Sequence, residues 1–261
     1  MKTLLCLFIS LMLFSALSCK GQLPAATENI TVETPAKILQ GDKYFWQYLV
    51  QNLRFLSRKY LAYNASGKRI SKREFLKQLT TGNYLFLQTS SDSTKLSFKL
   101  YPLNNGERVK YGSVISGYSL ERYNDYKWVG EKFPAFDFVD INGKHYNSTN
   151  TRGKIVVLKY WYVACQACRE EMPELNKMVA GYKKRTDMIF ISIAPDNASQ
   201  LKKFFSTHPF DYIKVPDQGH FISKVLKVQE APTHFVINKQ GIIVNVTNNP
   251  QELEYALKED I

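Results

Sequence analysis

The chain has 261 residues and a formal charge of +12, with 35 Lys and Arg residues against 23 Asp and Glu residues. An apolar content of 44% and an aromatic content of 13% exclude an intrinsically disordered protein and predict a globular core. The basic residues are scattered and form no nucleic-acid-binding motif. We therefore expect a solvated basic surface and no nucleic-acid partner.

The amino-terminal end predicts export. A short basic end precedes an apolar run from Leu4 to Leu17, which has the length of a signal-peptide core and is too short for a comfortable membrane span. The run ends at Ser18-Cys19, a pair that is typical of a bacterial lipobox. Residues 1–18 are therefore predicted to be a signal peptide, and lipidation of Cys19 is expected to anchor the protein to a membrane, facing the periplasm. Simple secretion and an uncleaved anchor are the alternatives.

Two segments follow the predicted signal peptide. Residues 19–36 are polar and carry prolines, as in a lipidated tether or linker. Residues 37–130 predict a smaller α+β domain, in which apolar residues at helical spacing over 44–63 indicate one long amphipathic helix, and Ser71 and Glu74 have the spacing of a capping box. Two strands are expected, over 84–89 and 95–103. No recognisable catalytic constellation lies in this part, and its role stays open.

Residues 131–261 predict an α/β domain. Asn142-Gly143 between two alternating apolar segments is a strong hairpin signal, and "KIVVLKYWY" has the continuous apolar character of a buried central strand. Gly241 suits a tight turn between the last two strands, and Pro250 suits the first turn of the final helix. The order β-β-β-α-β-α-β-β-α predicts a central mixed sheet with helices on both faces.

The main candidate for chemistry is the pair Cys165 and Cys168. If Cys6 leaves with the signal peptide and Cys19 is acylated, these two thiols remain in a compartment where disulfides persist. Their spacing at a predicted helix start places both sulfurs on one face, within reach of a disulfide. The helix N-terminus favours a thiolate at Cys165, whereas Cys168, one turn later, is expected to be more buried and to resolve a mixed disulfide.

Two other uses of the cysteine pair are less well supported. A zinc site needs about four ligands, and the four histidines of the chain are scattered without a second pair. A static disulfide across two intervening residues would close a very short loop and would stabilise the fold little. We therefore favour a redox dithiol and expect no metal.

The segment "KYWYVACQACREEMPEL" resembles the active-site segment of the thioredoxin superfamily, in particular that of the exported TlpA/ResA-like disulfide reductases. A second marker, "EAPTHFVIN", is similar to the segment in which such proteins place a proline opposite the CxxC motif. The resemblance covers residues 131–261 and implies a thioredoxin-like fold, and similar exported proteins of the Bacteroidetes look alike across both parts of the chain. The matching residues of the first segment are Tyr160, Trp161, Cys165, Cys168, Arg169, Glu171, Met172 and Pro173.

The resemblance also implies roles for residues around the dithiol. Pro232 is expected to form a cis peptide bond and to expose the backbone of Ala231, which would pair with a substrate peptide beside the sulfurs. Trp161 is expected to pack under the site. The partners implied are protein thiols and disulfides of the envelope and a membrane or periplasmic dithiol that donates electrons. No cofactor is implied beyond the redox-active disulfide.

The chain departs from the family pattern in ways that matter for the site. Ala164 precedes the first cysteine where the family often has Trp, and Lys159 stands where thioredoxins carry a buried acid. Either Lys159 lies near the dithiol and favours a thiolate, with Glu171 or a water in the proton role, or its side chain extends to the surface. Pro173 predicts a helix kink, and His234 is predicted to be structural.

The sequence therefore predicts a thiol–disulfide oxidoreductase that reduces protein disulfides in the cell envelope. One alternative is a peroxiredoxin-like thiol peroxidase, which shares the fold but places Thr or Ser where this chain has Tyr162. The other is a non-enzymatic envelope binding module, in which residues 37–130 do the binding and the disulfide regulates them.

Overall fold

The computed structural model describes residues 32–92 and 95–261. The predicted signal peptide, Cys19 and most of the predicted linker lie outside the described residues. Within the described ranges, no helix is both long enough and apolar enough to cross a bilayer.

The first part of the chain forms a four-stranded sheet covered by helices, which we call the N-terminal unit (residues 35–126). The strand order is β2-β1-β4-β3, with β1 and β4 parallel and the other pairs antiparallel. Its elements in chain order are α1 (Pro35–Ile38), α2 (Asp42–Asn52), a 3-10 turn (Leu53–Leu56), β1 (Leu61–Tyr63), β2 (Arg69–Ile70), α3 (Lys72–Leu79), β3 (Tyr84–Gln88), β4 (Ser97–Pro102) and α4 (Asn105–Tyr126).

The predicted helix over 44–63 is wrong in its length. The helix ends at Asn52, whose side-chain amide donates to the carbonyl of Tyr48 at 2.9 Å. The chain then turns and pairs residues 61–63 with both β2 and β4. The apolar spacing after Asn52 suits a buried turn as well as a helix, so the spacing alone does not mark where the helix ends. Strand pairing decides the conformation of residues 61–63. The predicted strands are confirmed as β3 and β4, and Ser71 caps α3 by accepting from the backbone N–H of Glu74 at 3.1 Å.

Helix α4 has 22 residues and was not predicted. Its buried face contains Gly112, Ser119 and Arg122 beside its apolar residues, so the sequence lacks a clean apolar stripe. Gly112 lies against Gly82, and a Cβ atom on Gly82 would meet the Gly112 carbonyl oxygen at 2.6 Å. This backbone-to-backbone contact requires glycine and sets α4 against the turn before β3.

The second part of the chain, the C-terminal unit (residues 131–261), has a five-stranded mixed sheet. The strand order is β11-β10-β7-β8-β9, in which β7, β8 and β9 are parallel and β10 is antiparallel to both of its neighbours. The elements are β5 (Asp137–Val139), β6 (His145–Asn147), β7 (Ile155–Tyr160), α5 (Gln166–Glu170), α6 (Met172–Tyr182), β8 (Met188–Ile193), α7 (Ala198–Phe205), β9 (Ile213–Val215), a π-helical turn (Phe221–Leu226), β10 (Thr233–Ile237), β11 (Ile243–Thr247) and α8 (Pro250–Glu259).

This arrangement confirms the predicted α/β fold with helices flanking a central sheet. Strand β7 is the middle strand, and alternate residues along it enter two different apolar cores: Val157 on one face, and Val156 and Leu158 on the other. The predicted hairpin is present as β5 and β6, with Gly143 at a φ of 85°. The division of the chain at residue 130 stays a prediction.

The two units meet where α4 packs against β11 and α8. Three cations of the N-terminal unit pair with three acids of the C-terminal unit, all of them at or near α8. The pairs are Arg58 with Glu259, Lys59 with Asp260 (2.8 Å), and Arg122 with Glu252 (2.8 Å). We call this set the junction cluster.

Candidate active site

The dithiol lies at the start of α5, immediately after the loop that follows β7. Cys165 is the N-cap residue, and its Sγ accepts a hydrogen bond from the backbone N–H of Cys168 at 3.2 Å. The two cysteines form a disulfide with a Cα–Cα distance of 5.3 Å. Cys165 is 5% exposed and Cys168 is fully buried, so the sulfur that a partner could reach is that of Cys165.

The helix after the dithiol is broken, as the sequence predicted. Helix α5 ends at Glu170 and α6 begins at Met172, with Pro173 in its first turn. Proline is tolerated there because the first N–H groups of a helix have no partner within it. Glu171 occupies the break, and its side chain is turned into the interior of the domain, where only 6% of it is exposed.

The loop before β10 brings two further predicted residues to the sulfurs. The Ala231–Pro232 peptide bond is cis. The carbonyl oxygen of Ala231 lies 3.8 Å from the Sγ of Cys165. The backbone before β10 therefore runs directly beside the more exposed sulfur.

Trp161 follows β7 and is fully buried in the apolar cluster that also contains Cys165 and Cys168. Its ring lies 5.4 Å from the rings of both Phe204 and Phe205. These contacts fix the floor of the site from the α7 side.

Lys159 does not extend to the surface but is fully buried. Its Nζ donates to the carbonyl oxygen of Cys168 at 3.2 Å and forms an ion pair with Glu171. Of the two predicted placements, the structure shows the one beside the dithiol.

His234, for which the sequence predicted a structural role, lies within this site. Its Nε2 lies 3.2 Å from Oε1 and 3.4 Å from Oε2 of Glu171, and the residue is fully buried. Antiparallel pairing of β10 with β7 places His234 directly opposite Lys159. The signal was present in the strand register, which could not be derived without knowing that β10 pairs with β7.

Lys159 and His234 both contact the single carboxylate of Glu171. Burial lowers the pKa of Lys159 and that of His234, because both lose the water that stabilises their charged forms. Burial alone would raise the pKa of Glu171, but His234 and Lys159 outweigh it and hold that pKa below its ordinary value. We therefore assign an ionised Glu171 and a protonated Lys159 with a neutral His234, because a second buried cation would lack a counter-ion.

No metal site competes with this arrangement in the described part of the chain, where no group of three or more His, Cys, Asp and Glu residues could hold an ion.

The fold and the dithiol at the N-terminus of α5 define a thioredoxin-like domain.

Comparison with known proteins narrows this class. Residues 129–246 match the model of the AhpC/TSA family. The thiol-disulfide oxidoreductase ResA of Bacillus thuringiensis is 29% identical over 134 residues, which are 50% of this chain and 78% of that protein. The thioredoxin-like protein YneN of Bacillus subtilis is 25% identical over 137 residues, which are 50% of this chain and 79% of that protein.

Solved structures match the same share of the chain. The solution structure of a putative protein disulfide isomerase from Bacteroides thetaiotaomicron is 26% identical, with a TM-score of 0.46, over 50% of this chain and 86% of that one. A putative thiol:disulfide interchange protein DsbE from Chlorobium tepidum is 23% identical, with a TM-score of 0.46, over 50% of this chain and 96% of that one.

The C-terminal unit therefore has a thioredoxin-like fold, and its sequence relatives include proteins named thiol–disulfide oxidoreductase ResA. The matched relatives account for about half of this chain, and the N-terminal unit lies outside the matched half.

Proposed function

We propose that this protein is a protein-disulfide reductase of the cell envelope, in which Cys165 is the nucleophile and Cys168 the resolving cysteine. One observation carries the proposal: the dithiol is placed at a helix N-terminus beside the backbone carbonyl of Ala231, with Cys165 5% exposed and Cys168 fully buried. Unpaired N–H groups and the helix dipole stabilise a thiolate at that position.

The reaction proceeds in two exchanges that conserve atoms and electrons. The Cys165 thiolate attacks one sulfur of a substrate disulfide, a mixed disulfide forms, and the other substrate sulfur leaves as a thiolate. Cys168 then loses its proton and attacks the Sγ of Cys165, which releases the second substrate thiol. Two electrons pass to the substrate, and the oxidised product is the Cys165–Cys168 disulfide. A dithiol donor in the membrane or periplasm returns these two electrons for the next cycle.

The neighbouring residues have distinct parts in this scheme. Ala231 and Pro232 align the backbone of the substrate beside Cys165, and Trp161 supports the dithiol from below. Glu171 receives the proton that Cys168 releases, and Lys159 keeps that carboxylate in place through its contact with the Cys168 carbonyl. Neither a metal nor an organic cofactor takes part.

The place of action follows from the amino-terminal sequence and from the likeness to ResA. Cleavage before Cys19 and lipidation of that cysteine attach the protein to a membrane, so that its dithiol faces the periplasm. Mass spectrometry of the mature protein tests the anchor, because a lipidated N-terminal cysteine adds the mass of its acyl chains. A mature chain that begins after Cys19 would contradict it.

A redox titration of the mature chain tests the reaction and its direction. The protein is equilibrated in thiol buffers of defined potential, and free sulfurs are counted by alkylation and mass. A reversible two-electron transition near the thioredoxin value of about −270 mV supports a reductase, whereas one near about −120 mV indicates an oxidant. If Cys165 and Cys168 never form a disulfide, the proposal fails.

A further inference from the structure

We propose that His234 is a positioning residue for the dithiol. With Lys159, which also donates to the Cys168 carbonyl, it holds the carboxylate of Glu171 ionised. This inference rests on the proposed thiol–disulfide exchange and adds a residue that the CxxC motif does not contain.

The geometry joins three separate elements at one carboxylate. Lys159 comes from β7, His234 from β10, and Glu171 from the break between α5 and α6. Lys159 binds Oε1, while the Nε2 of His234 lies within 3.4 Å of both carboxylate oxygens. The carboxylate is therefore held from two strands at once, and neither strand alone fixes its orientation.

The tautomer of His234 follows from its contacts. Its Nδ1 is buried and has no hydrogen-bond partner among the described residues. Its Nε2 faces a carboxylate, which can only accept a hydrogen bond when it is ionised. The ring proton therefore belongs on Nε2, and the neutral imidazole donates it to Glu171.

Loss of the His234 donor matters because this part of the site is closed to solvent. Lys159 and His234 are fully buried, so water cannot replace a donor that is removed. A carboxylate in such a place takes up a proton unless cations or donors stabilise its charge. Lys159 also donates to the Cys168 carbonyl, so it links Glu171 to the residue whose proton Glu171 receives in the proposed mechanism.

Two other titratable groups, Tyr212 and Glu252, lie near Lys159, Glu171 and His234. Tyr212, in the same apolar cluster as the two cysteines, has its pKa raised well above the ordinary value by burial, so its hydroxyl stays protonated. Glu252, at the start of α8, also influences His234, but it is paired with Arg122 at 2.8 Å. The dithiol contacts this group through the Cys168 carbonyl, which accepts a hydrogen bond from Lys159. The ionisation of Glu171 therefore depends chiefly on Lys159 and His234.

The experiment isolates the resolving step. Reduced wild-type protein is mixed with the aromatic disulfide 5,5′-dithiobis(2-nitrobenzoate), and release of the coloured thiol is followed by stopped flow across a pH series. Attack by Cys165 releases the first equivalent, and attack by Cys168 on the mixed disulfide releases the second. The pH at which the second release reaches half its maximal rate reports the proton acceptor.

Three variants distinguish positioning from packing. His234→Leu removes the donor at similar volume, and we expect the midpoint of the second release to rise by about one pH unit, which is about tenfold in rate on the acidic side. His234→Gln keeps an N–H donor and should restore the wild-type midpoint. Thr247→Val, opposite His234 on β11, changes a buried hydroxyl that has no partner and should leave the midpoint unchanged. The first release should keep its rate in all three.

The outcomes separate this inference from the proposed function. An unshifted midpoint in His234→Leu, or an equal shift in Thr247→Val, overturns the role of His234 while exchange itself continues. If the wild type releases no second equivalent, the exchange chemistry fails instead. Should His234→Leu not fold, nitrogen NMR of histidine-labelled wild type decides: a neutral ring protonated at Nε2 supports the inference, and an Nδ1-protonated ring or an imidazolium overturns it.

Discussion

Two regions of this molecule pair charged side chains, and they do so in opposite ways. Beneath the dithiol, one carboxylate serves two basic side chains, Lys159 and His234. At the junction cluster, each acid has one cation, and the cations all come from the N-terminal unit while the acids all come from the C-terminal unit. The carboxylate at the site therefore has one hydrogen-bond donor more than charge balance requires. At the junction cluster, the numbers of acids and cations are equal.

The difference indicates what each set of charges does. A buried ion pair contributes little net stability, because desolvation offsets most of the attraction. A one-to-one set with its signs divided between two surfaces specifies which surfaces meet and in what register. An extra donor on one carboxylate instead keeps that carboxylate ionised and able to accept a proton. The junction cluster is thus expected to govern attachment of the two units, and the cluster beneath the dithiol to govern reactivity.

The packing of the two regions agrees with this contrast. The junction contains a cavity of about 210 Å³ and several buried polar atoms without a partner in the described structure. These atoms include the Tyr60 hydroxyl, Arg122 Nε and Glu252 Oε1. Around the dithiol, Trp161 and the two cysteines pack in one continuous apolar cluster. Buried polar atoms without a partner also lie near the site, namely Trp161 Nε1, the Tyr212 hydroxyl and His234 Nδ1, so the regions differ in the junction cavity, which has room for water.

The largest effect is expected at the sulfurs themselves. Cys165→Ser should abolish reduction of protein disulfides, a loss of about a thousandfold or more, because the nucleophile of the first exchange is gone. Cys168→Ser should instead trap the mixed disulfide, which non-reducing electrophoresis with a disulfide substrate detects.

The same two variants test the alternative functions. Peroxide consumption that survives Cys168→Ser would support the thiol peroxidase. If a Cys165→Ser strain behaved like wild type while deletion of residues 37–130 did not, the binding-module interpretation would replace the reductase.

The next effect separates the two charge clusters. Glu252→Gln leaves Arg122 buried without its counter-ion and should destabilise the fold by about 3–5 kcal/mol, measured by urea unfolding. Glu254→Gln is the matched control on the same helix, where an exposed pair with Lys258 should contribute less than about 0.5 kcal/mol. Exchange by folded Glu252→Gln molecules should stay within about twofold of wild type, because this region does not contact the sulfurs. If Glu252→Gln lost exchange activity but not stability, the junction cluster would govern reactivity and not attachment of the two units.

How much the sequence predicts also differs between the regions. The C-terminal unit was predictable because its dithiol, its proline and its hairpin are local signals that each demand specific residues. In the N-terminal unit the same kind of reasoning placed β3, β4 and the cap at Ser71, but it extended α2 through a turn and a strand.

Two of the misses, helix α4 and the place of His234, share one physical cause. Helix α4 buries Arg122 and Ser119, and Arg122 is buried only because Glu252 meets it from the other unit. His234 acquires its place only through the pairing of β10 with β7. Long-range partners decide the burial of polar residues, and a single sequence does not show those partners.

A smaller effect concerns Lys159. Lys159→Met removes the cation that binds both Glu171 and the Cys168 carbonyl, and it should raise the pKa of the Cys165 thiolate by about one unit. Ultraviolet absorbance of the reduced thiolate across a pH series measures that pKa. Lys214→Met, a half-buried lysine on β9, serves as the control for lost packing and charge in general. An unchanged thiolate pKa in Lys159→Met would show that Lys159 acts on Glu171 alone.

The smallest effect is a pH-dependent one at the junction. Asp125 lies in the junction cavity, and burial raises its pKa to about 7 from the ordinary 3.8. Because the folded state holds this proton more tightly than the unfolded state, the wild type loses stability as pH rises from about 4 through 7. Asp125→Asn removes that loss and keeps an oxygen that can accept from the Asn248 amide.

Thermal unfolding of wild type and Asp125→Asn across a pH series measures the difference. We expect no gain in Tm near pH 4 and a gain of about 2–4 °C above pH 7, which corresponds to roughly 1 kcal/mol because water screens this partly exposed side chain. Lys72, in the same cavity, has its pKa lowered to about 7 by burial. Its contribution has the opposite sign, because the folded state holds this proton less tightly, so the fold gains stability as pH rises from about 7 to 10.5. A gain in Tm that is the same at every pH would mean that Asp125 titrates normally and that the junction, like the site, keeps its acids ionised.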